Sequence, residues 1–94
     1  YSRLLVGTEA PGPLEMWEWR RMPGEGSASD PHPVGTVELA HVTEGELTLT
    51  VEGAEHRVPA GASVTFEAGA PHSYDNRGAV PVEFVLAVSV PPVR

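Results

Sequence analysis

Residues 24–45 read GEGSASDPHPVGTVELAHVTEG and residues 61–76 read GASVTFEAGAPHSYDN, and the fold turns on these two runs. In the first, five residues separate Gly24 from Asp30, one separates Asp30 from His32, five separate His32 from Glu38 and six separate Glu38 from Gly45. In the second, five residues lie between Gly61 and Glu67, one between Glu67 and Gly69, two between Gly69 and His72, and three between His72 and Asn76. Both runs alternate with a period of two. Val37, Leu39 and His41 interleave with Glu38, Ala40 and Val42, and Ala62, Val64 and Phe66 interleave with Ser63, Thr65 and Glu67. That is the pattern of half-buried strands.

The same period continues outward. Leu47, Leu49 and Val51 alternate with Thr48, Thr50 and Glu52, the stretch Leu14 to Met22 reads as a strand, and the tail Val80 to Val90 is apolar on both faces, as in a strand inside a sandwich. Pro-Gly, Glu-Gly, Ala-Gly and Asn-Arg-Gly turns punctuate the chain at regular intervals, and no stretch carries a helical stripe. Short strands between frequent turns predict an all-β sandwich or barrel of antiparallel strands. An immunoglobulin-like sandwich or an oligosaccharide-binding barrel also meets this pattern, but neither accounts for the histidine spacing. The segment Gly24 to Pro33, rich in Gly, Ser and Pro, predicts a mobile loop.

Ninety-four residues make one domain near the lower size limit for an adequate core. The chain has no Cys, which excludes a disulfide framework, a zinc ribbon and thiol catalysis, so any metal must bind through N and O. A formal charge of −7 with no Lys argues against a phosphate-binding surface, because neutralised phosphates dominate nucleic-acid affinity. No apolar run approaches the ~20 residues of a membrane helix. A start at Tyr1 instead of Met predicts a piece of a longer protein, with a single domain over 1–94 and a core over about 14–90.

Asp30, His32, Glu38 and His72 are the residues that can carry chemistry. On one straight strand His32 and Glu38 would stand about 20 Å apart, so the chain must turn between them. Pro33-Val34-Gly35 can make that turn, since Pro fixes one dihedral and Gly accepts the left-handed one. His72 follows Pro71 and shares a strand face with Tyr74 and Asn76. Two imidazoles and a carboxylate form the open-sided set that holds Fe, Mn, Ni or Zn, with Asp30 as a fourth oxygen donor. A purely organic ligand fits the same groups. The plain alternative makes His32 a solvated loop residue, Glu38 an ordinary strand carboxylate and His72 a satisfied barrel histidine. His41, opposite Glu38 on its strand, and His56, in a polar run, read as surface residues.

The two glycine-anchored runs together resemble the paired motifs of the cupins. The resemblance implies a cupin-type jelly-roll β-barrel, and it implies a metal site or ligand pocket lined by the His and Glu positions. Two departures stand out: Asp30 occupies the place of the first motif's first His, and five residues precede Glu38 where three or four are usual. Within the cupins, His32 to Leu39 followed by Val42 and by Glu44-Gly45-Glu46-Leu47, with Pro71 to Asn76, is similar to the C-terminal sensor domain of bacterial XRE-type helix-turn-helix regulators. This implies a cytoplasmic homodimer that binds a small-molecule effector and meets DNA only through a separate N-terminal domain.

The expected ligand site is therefore His32, Glu38, His72 and Tyr74, with Val42, Leu49, Val64 and Phe66 as apolar wall, and with a divalent transition metal held by His32, Glu38 and His72. No catalytic residue is assigned. The alternative reading is a metal-dependent cupin enzyme, a dioxygenase or isomerase, and a third is a scaffold barrel with an inert interior. Trp17 and Trp19 share a strand face with Glu15 and Arg21, and that face reads as a dimer interface in preference to a pocket wall.

Overall fold

The computed structural model describes residues 1–9, 12–29 and 31–92. Among them are nine strands and no helix: β1 (Ser2–Gly7), β2 (Leu14–Arg21), β3 (Gly26–Ser29), β4 (Val37–Glu44), β5 (Glu46–Val51), β6 (Ala54–Pro59), β7 (Ser63–Glu67), β8 (His72–Asp75) and β9 (Val82–Ser89). They form two antiparallel sheets, one in the order β1-β2-β9-β4-β7 and the other β3-β8-β5-β6. The all-β antiparallel barrel expected from the alternation is the architecture observed.

Alternation resolves directly into inside and outside. In β4, Glu38, Ala40 and Val42 are buried while Val37, Leu39 and His41 are exposed. In β9, at the centre of the larger sheet, Val82, Phe84, Leu86 and Val88 point inward. They meet Leu47 and Leu49 of β5, Val58 of β6 and Tyr74 of β8 in one core. Burying side chains of this size stabilises by about 1.5–3 kcal/mol each.

Two glycines have positions that a side chain resists. Gly35 takes φ +93° in the turn where the Thr36 N–H donates to the Pro33 carbonyl at 3.0 Å, the turn expected between His32 and Glu38. Gly45 takes φ +74° between β4 and β5, with its missing Cβ directed at the Pro81 carbonyl oxygen. Asn76 is buried, and its side-chain amide donates to the Arg21 carbonyl at 2.9 Å and the Val80 carbonyl at 2.8 Å. Its Oδ1 accepts the Gly78 N–H at 3.0 Å. This residue of the second run is a strut that ties β2 to the end of β8.

The structure corrects the expected loop from Gly24 to Pro33. Gly26–Ser29 forms β3, paired along its length with β8 from Asp75 to His72. Gly, Ser and Ala carry almost no strand signal, so the backbone ladder with β8 decides the conformation there. β1 and β6 were likewise not expected, the first because all its residues are exposed and the second because it is polar outside Val58.

Candidate functional site

Glu38 lies in a row of inward-facing neighbours set by register: Glu15 of β2 opposes Val88 of β9, Val88 opposes Glu38 of β4, and Glu38 opposes Phe66 of β7. From the facing sheet, β8 delivers His72 and Tyr74. The turn at Pro33–Thr36 brings His32 to the same place, its backbone N–H held by the Ala68 carbonyl at 2.9 Å. His32 Nε2 stands 3.2 Å from Glu38 Oε2, and His72 Nε2 stands 3.4 Å from the same oxygen. Both Glu38 and His72 are almost fully enclosed, at 1% and 4% exposure, whereas His32 is half-buried.

The hydrogen bonds fix how these groups face one another. Tyr74 donates its O–H to Glu38 Oε1. Burial, with the Glu38 carboxylate beside it, pushes the Tyr74 phenol far above its usual range, so it remains a donor. His72 Nδ1 lies 2.8 Å from the Ala70 carbonyl oxygen, which can only accept, so Nδ1 carries the ring proton. A neutral His72 then presents the lone pair of Nε2 to the lone pairs of Glu38 Oε2. Both atoms are buried without a hydrogen-bond partner. Two acceptors at this distance need a positive centre between them: a proton, a metal ion or a ligand donor.

The donor set fits a metal. The ligand atoms of His32, Glu38 and His72 lie within 4.8 Å of one another. An ion with bonds of about 2.1 Å keeps two ligand atoms about 3.0 Å apart at a right angle and about 3.4 Å apart at the tetrahedral angle, and both contacts to Glu38 Oε2 fall in that interval. The His72 Nδ1–H to carbonyl bond is the kind of support that orients a metal-binding imidazole. Phe66 packs edge-on against His72 at 5.3 Å between ring centroids, and His32 stacks on it at 5.7 Å.

That cavity, of about 240 Å³, is lined by Glu15, Trp17, Trp19, His32, Glu38, Tyr74, Leu86, Val88 and Val90. Three of the expected site residues, His32, Glu38 and Tyr74, lie on its wall, and His72 backs them. The expected apolar wall is corrected: Val42 and Leu49 are core residues, Val64 and Phe66 are half-buried, and none of the four lines the cavity. The wall comes from β2 and β9, where the register puts Trp17 beside Leu86 and Trp19 beside Phe84. Trp17 and Trp19 are accordingly cavity residues, the pocket-wall alternative of the sequence reading. Trp19 is clamped, stacked 5.9 Å from Phe84, with the Arg21 guanidinium 4.4 Å from its centroid. Arg21 is itself buried, donates to Ser27 Oγ at 2.7 Å, and has its pKa lowered by desolvation against the pull of Glu25 and Asp75.

Glu15, Leu86, Val88 and Val90 were not expected at the site. The Glu15-Trp17-Trp19 alternation held the signal for the first, but nothing in the chain order shows that β2 and β9 pair. Asp30 lies outside the described residues. His41 and His56 are exposed, as expected, and His41 Nδ1 meets Ser63 Oγ at 2.6 Å.

A two-sheet antiparallel barrel enclosing Glu38 and His72, with His32 half-buried beside them, defines a small β-barrel domain. The chain belongs to the cupin family: the profile described as Cupin domain matches residues 17–89. Among solved structures, it resembles the Cupin_2 domain of an XRE family transcriptional regulator from Enterobacter cloacae, with TM-score 0.83 and 26% identity over 97% of this chain and 96% of that one. It also resembles an HTH_3 family transcriptional regulator from Vibrio cholerae, with TM-score 0.78 and 27% identity over 83% of this chain and 43% of that one. A protein described as a predicted oxalate decarboxylase from Thermotoga maritima shares the fold at TM-score 0.69 and 19% identity, over 85% of this chain and 84% of that one. No curated protein matches the chain.

Proposed function

We propose that this chain is the effector-sensing domain of a bacterial transcriptional regulator, binding a small molecule in the cavity bounded by His32, Glu38, His72 and Tyr74. The observation that carries the reading is the buried Glu38 Oε2, faced by two imidazole nitrogens and left without a donor. An enclosed acceptor cluster opening on an apolar cavity is a site built to receive a positive centre or a donor group. A divalent transition ion held by His32, Glu38 and His72 fits that need and would offer its open position to a ligand atom. Tyr74 orients Glu38 so that Oε2 faces the imidazoles, and Ala70 orients His72.

The regulator part of the reading draws on likeness to the XRE-family domain. In it the domain is the C-terminal part of a longer cytoplasmic protein, dimerises with a second copy and reaches DNA through a separate domain. An effector shifts such an equilibrium only through differential affinity for two states. The open side of the same donor set favours a second reading, a metal-dependent enzyme. Metal analysis after purification without chelators, with calorimetric titration of Mn, Fe, Ni and Zn, tests the site. Wild type should bind one ion per chain, with His72→Ala reducing affinity by at least tenfold, about 1.4 kcal/mol. Unchanged affinity in His72→Ala removes that residue from the site, and turnover of a substrate by the loaded protein would move the assignment to the enzyme.

A further inference from the structure

The cavity has a second carboxylate that the cluster does not use. Glu15 lines it from β2, two strands from Glu38 in the same inward row, so their backbones stand about 10 Å apart with Val88 between them. Glu15 Oε1 accepts the Trp17 indole N–H at 3.1 Å, which holds the carboxylate against the aromatic wall and leaves Oε2 for a ligand. No Arg or Lys is among the lining residues. The Arg21 guanidinium, on the same strand as Trp17 and Trp19, is committed to the Trp19 face and to Ser27. Two carboxylates therefore face the cavity, with no Arg or Lys among the described lining residues to balance them, and one of them, Glu38, is 99% buried with a free oxygen.

We propose that the effector is a small amine, a molecule with one protonated nitrogen and a compact apolar body, and that Glu15 is the residue that selects it. The ammonium pairs with Glu15 beside the Trp17 ring, where the carboxylate and the indole face both favour a cation. The body lies over Leu86, Val88 and Val90 toward the His32–Glu38 end. A volume of about 240 Å³ is below the ~300 Å³ at which drug-sized sites begin, which restricts the body to about one ring or a short branched chain. Charge selection is local to Glu15: with a divalent ion held at the far end, the ammonium still pairs with the carboxylate beside Trp17. Without that ion, a carboxylate effector finds no Arg or Lys among the described lining residues.

This inference rests on the effector-binding reading, and its test separates the two. Calorimetric titration of the 94-residue chain uses three probes built on one phenyl ring and a short chain, phenethylamine, phenethyl alcohol and 3-phenylpropionate, in EDTA and again with Mn²⁺. The amine should bind about tenfold or more tighter than the alcohol, the worth of a charge-assisted hydrogen bond, and 3-phenylpropionate weakest. Glu15→Gln, which keeps an acceptor for Trp17, should bring the amine down to the level of the alcohol and leave the alcohol unchanged. Tighter binding of 3-phenylpropionate than of the amine overturns the proposal and leaves the effector reading standing. Equal weakening of all three probes by Glu15→Gln also overturns it, since Glu15 would then only shape the wall. If none binds, the amine proposal fails, and a fragment screen that finds no cavity ligand of any charge removes the effector reading with it.

Discussion

Replacing Glu38 by Gln should separate the stability of the barrel from the purpose of its cluster. Gln has the same shape, so its Oε1 can keep the Tyr74 hydrogen bond while the amide nitrogen takes the place of Oε2, which lies 3.2 Å from His32 Nε2 and 3.4 Å from His72 Nε2. In the neutral tautomer that donates from Nδ1 to Ala70, the His72 Nε2 lone pair faces inward, so the amide presents a donor to an acceptor where the carboxylate presents an acceptor to an acceptor. A buried acceptor without a donor costs about 1–3 kcal/mol, and a net hydrogen bond contributes about 1 kcal/mol. Glu38→Gln should therefore be at least as stable as wild type in EDTA, with Tm raised by about 4–8 °C for each kcal/mol gained. The same change should abolish stabilisation by metal, which in wild type reaches about 2.7 kcal/mol at a hundredfold excess over Kd. Differential scanning calorimetry in EDTA and in Mn²⁺ or Zn²⁺ reads both effects. A Tm several degrees below wild type in EDTA would refute the lone-pair assignment, and a metal response equal to that of wild type would refute Glu38 as a ligand.

Tyr74 should make stability fall at alkaline pH. Its folded-state pKa is raised by burial and by Glu38, so the native protein keeps a proton that the unfolded chain loses near pH 10. Stability is then intact below about pH 10 and declines by roughly 1.4 kcal/mol per pH unit above it; urea unfolding from pH 9 to 11 should show the decline, and Tyr74→Phe should remove it. Asn76→Ala should cost about 2–4 kcal/mol by chemical denaturation, because it strands the Arg21 and Val80 carbonyls and the Gly78 N–H at the end of β8; a loss under about 0.5 kcal/mol would contradict the strut. Gly45→Ala should cost about 2 kcal/mol or more, from positive φ and the approach of Cβ to the Pro81 carbonyl, and an unchanged denaturation midpoint would contradict that.

What could be read from the sequence followed the range of the physics involved. The alternation in β4 and β7 is a local pattern with one dominant cause, burial of every second residue, and it marked both segments as half-buried strands, while the motif resemblance chose the Glu38 face as the inner one. The Pro33–Gly35 turn was legible because Pro and Gly restrict dihedrals without reference to the rest of the chain. Strand order was not local. That β2 pairs with β9, and so puts Trp17 and Glu15 opposite Leu86 and Val88, depends on contacts spanning most of the sequence. The apolar wall was consequently assigned to the wrong strands, although the residues chosen for it do face inward. β3 escaped for a different reason: its Gly-Ser-Ala-Ser sequence has no side chains large enough to show a pattern, and its pairing partner alone makes it a strand.

The cluster also runs against the stability of its own fold. A domain of 94 residues is expected to have only about 5–15 kcal/mol to spare, yet it buries a carboxylate and leaves Oε2 and the His72 Nε2 without partners. An apolar pair at the same positions would pack against Val88, Phe66 and Leu86 with no such cost. The surroundings show that the arrangement is held in place and is not a packing fault. Tyr74 restrains one oxygen of Glu38, Ala70 restrains the far side of His72, and Phe66 supports the ring. One restraint on Glu38 and two on His72 keep the two buried atoms converged, and each restraint comes from a different strand or turn. Such convergence lowers stability until a cation or donor arrives and raises it afterward, so the stability of this domain should be coupled to occupancy of the site.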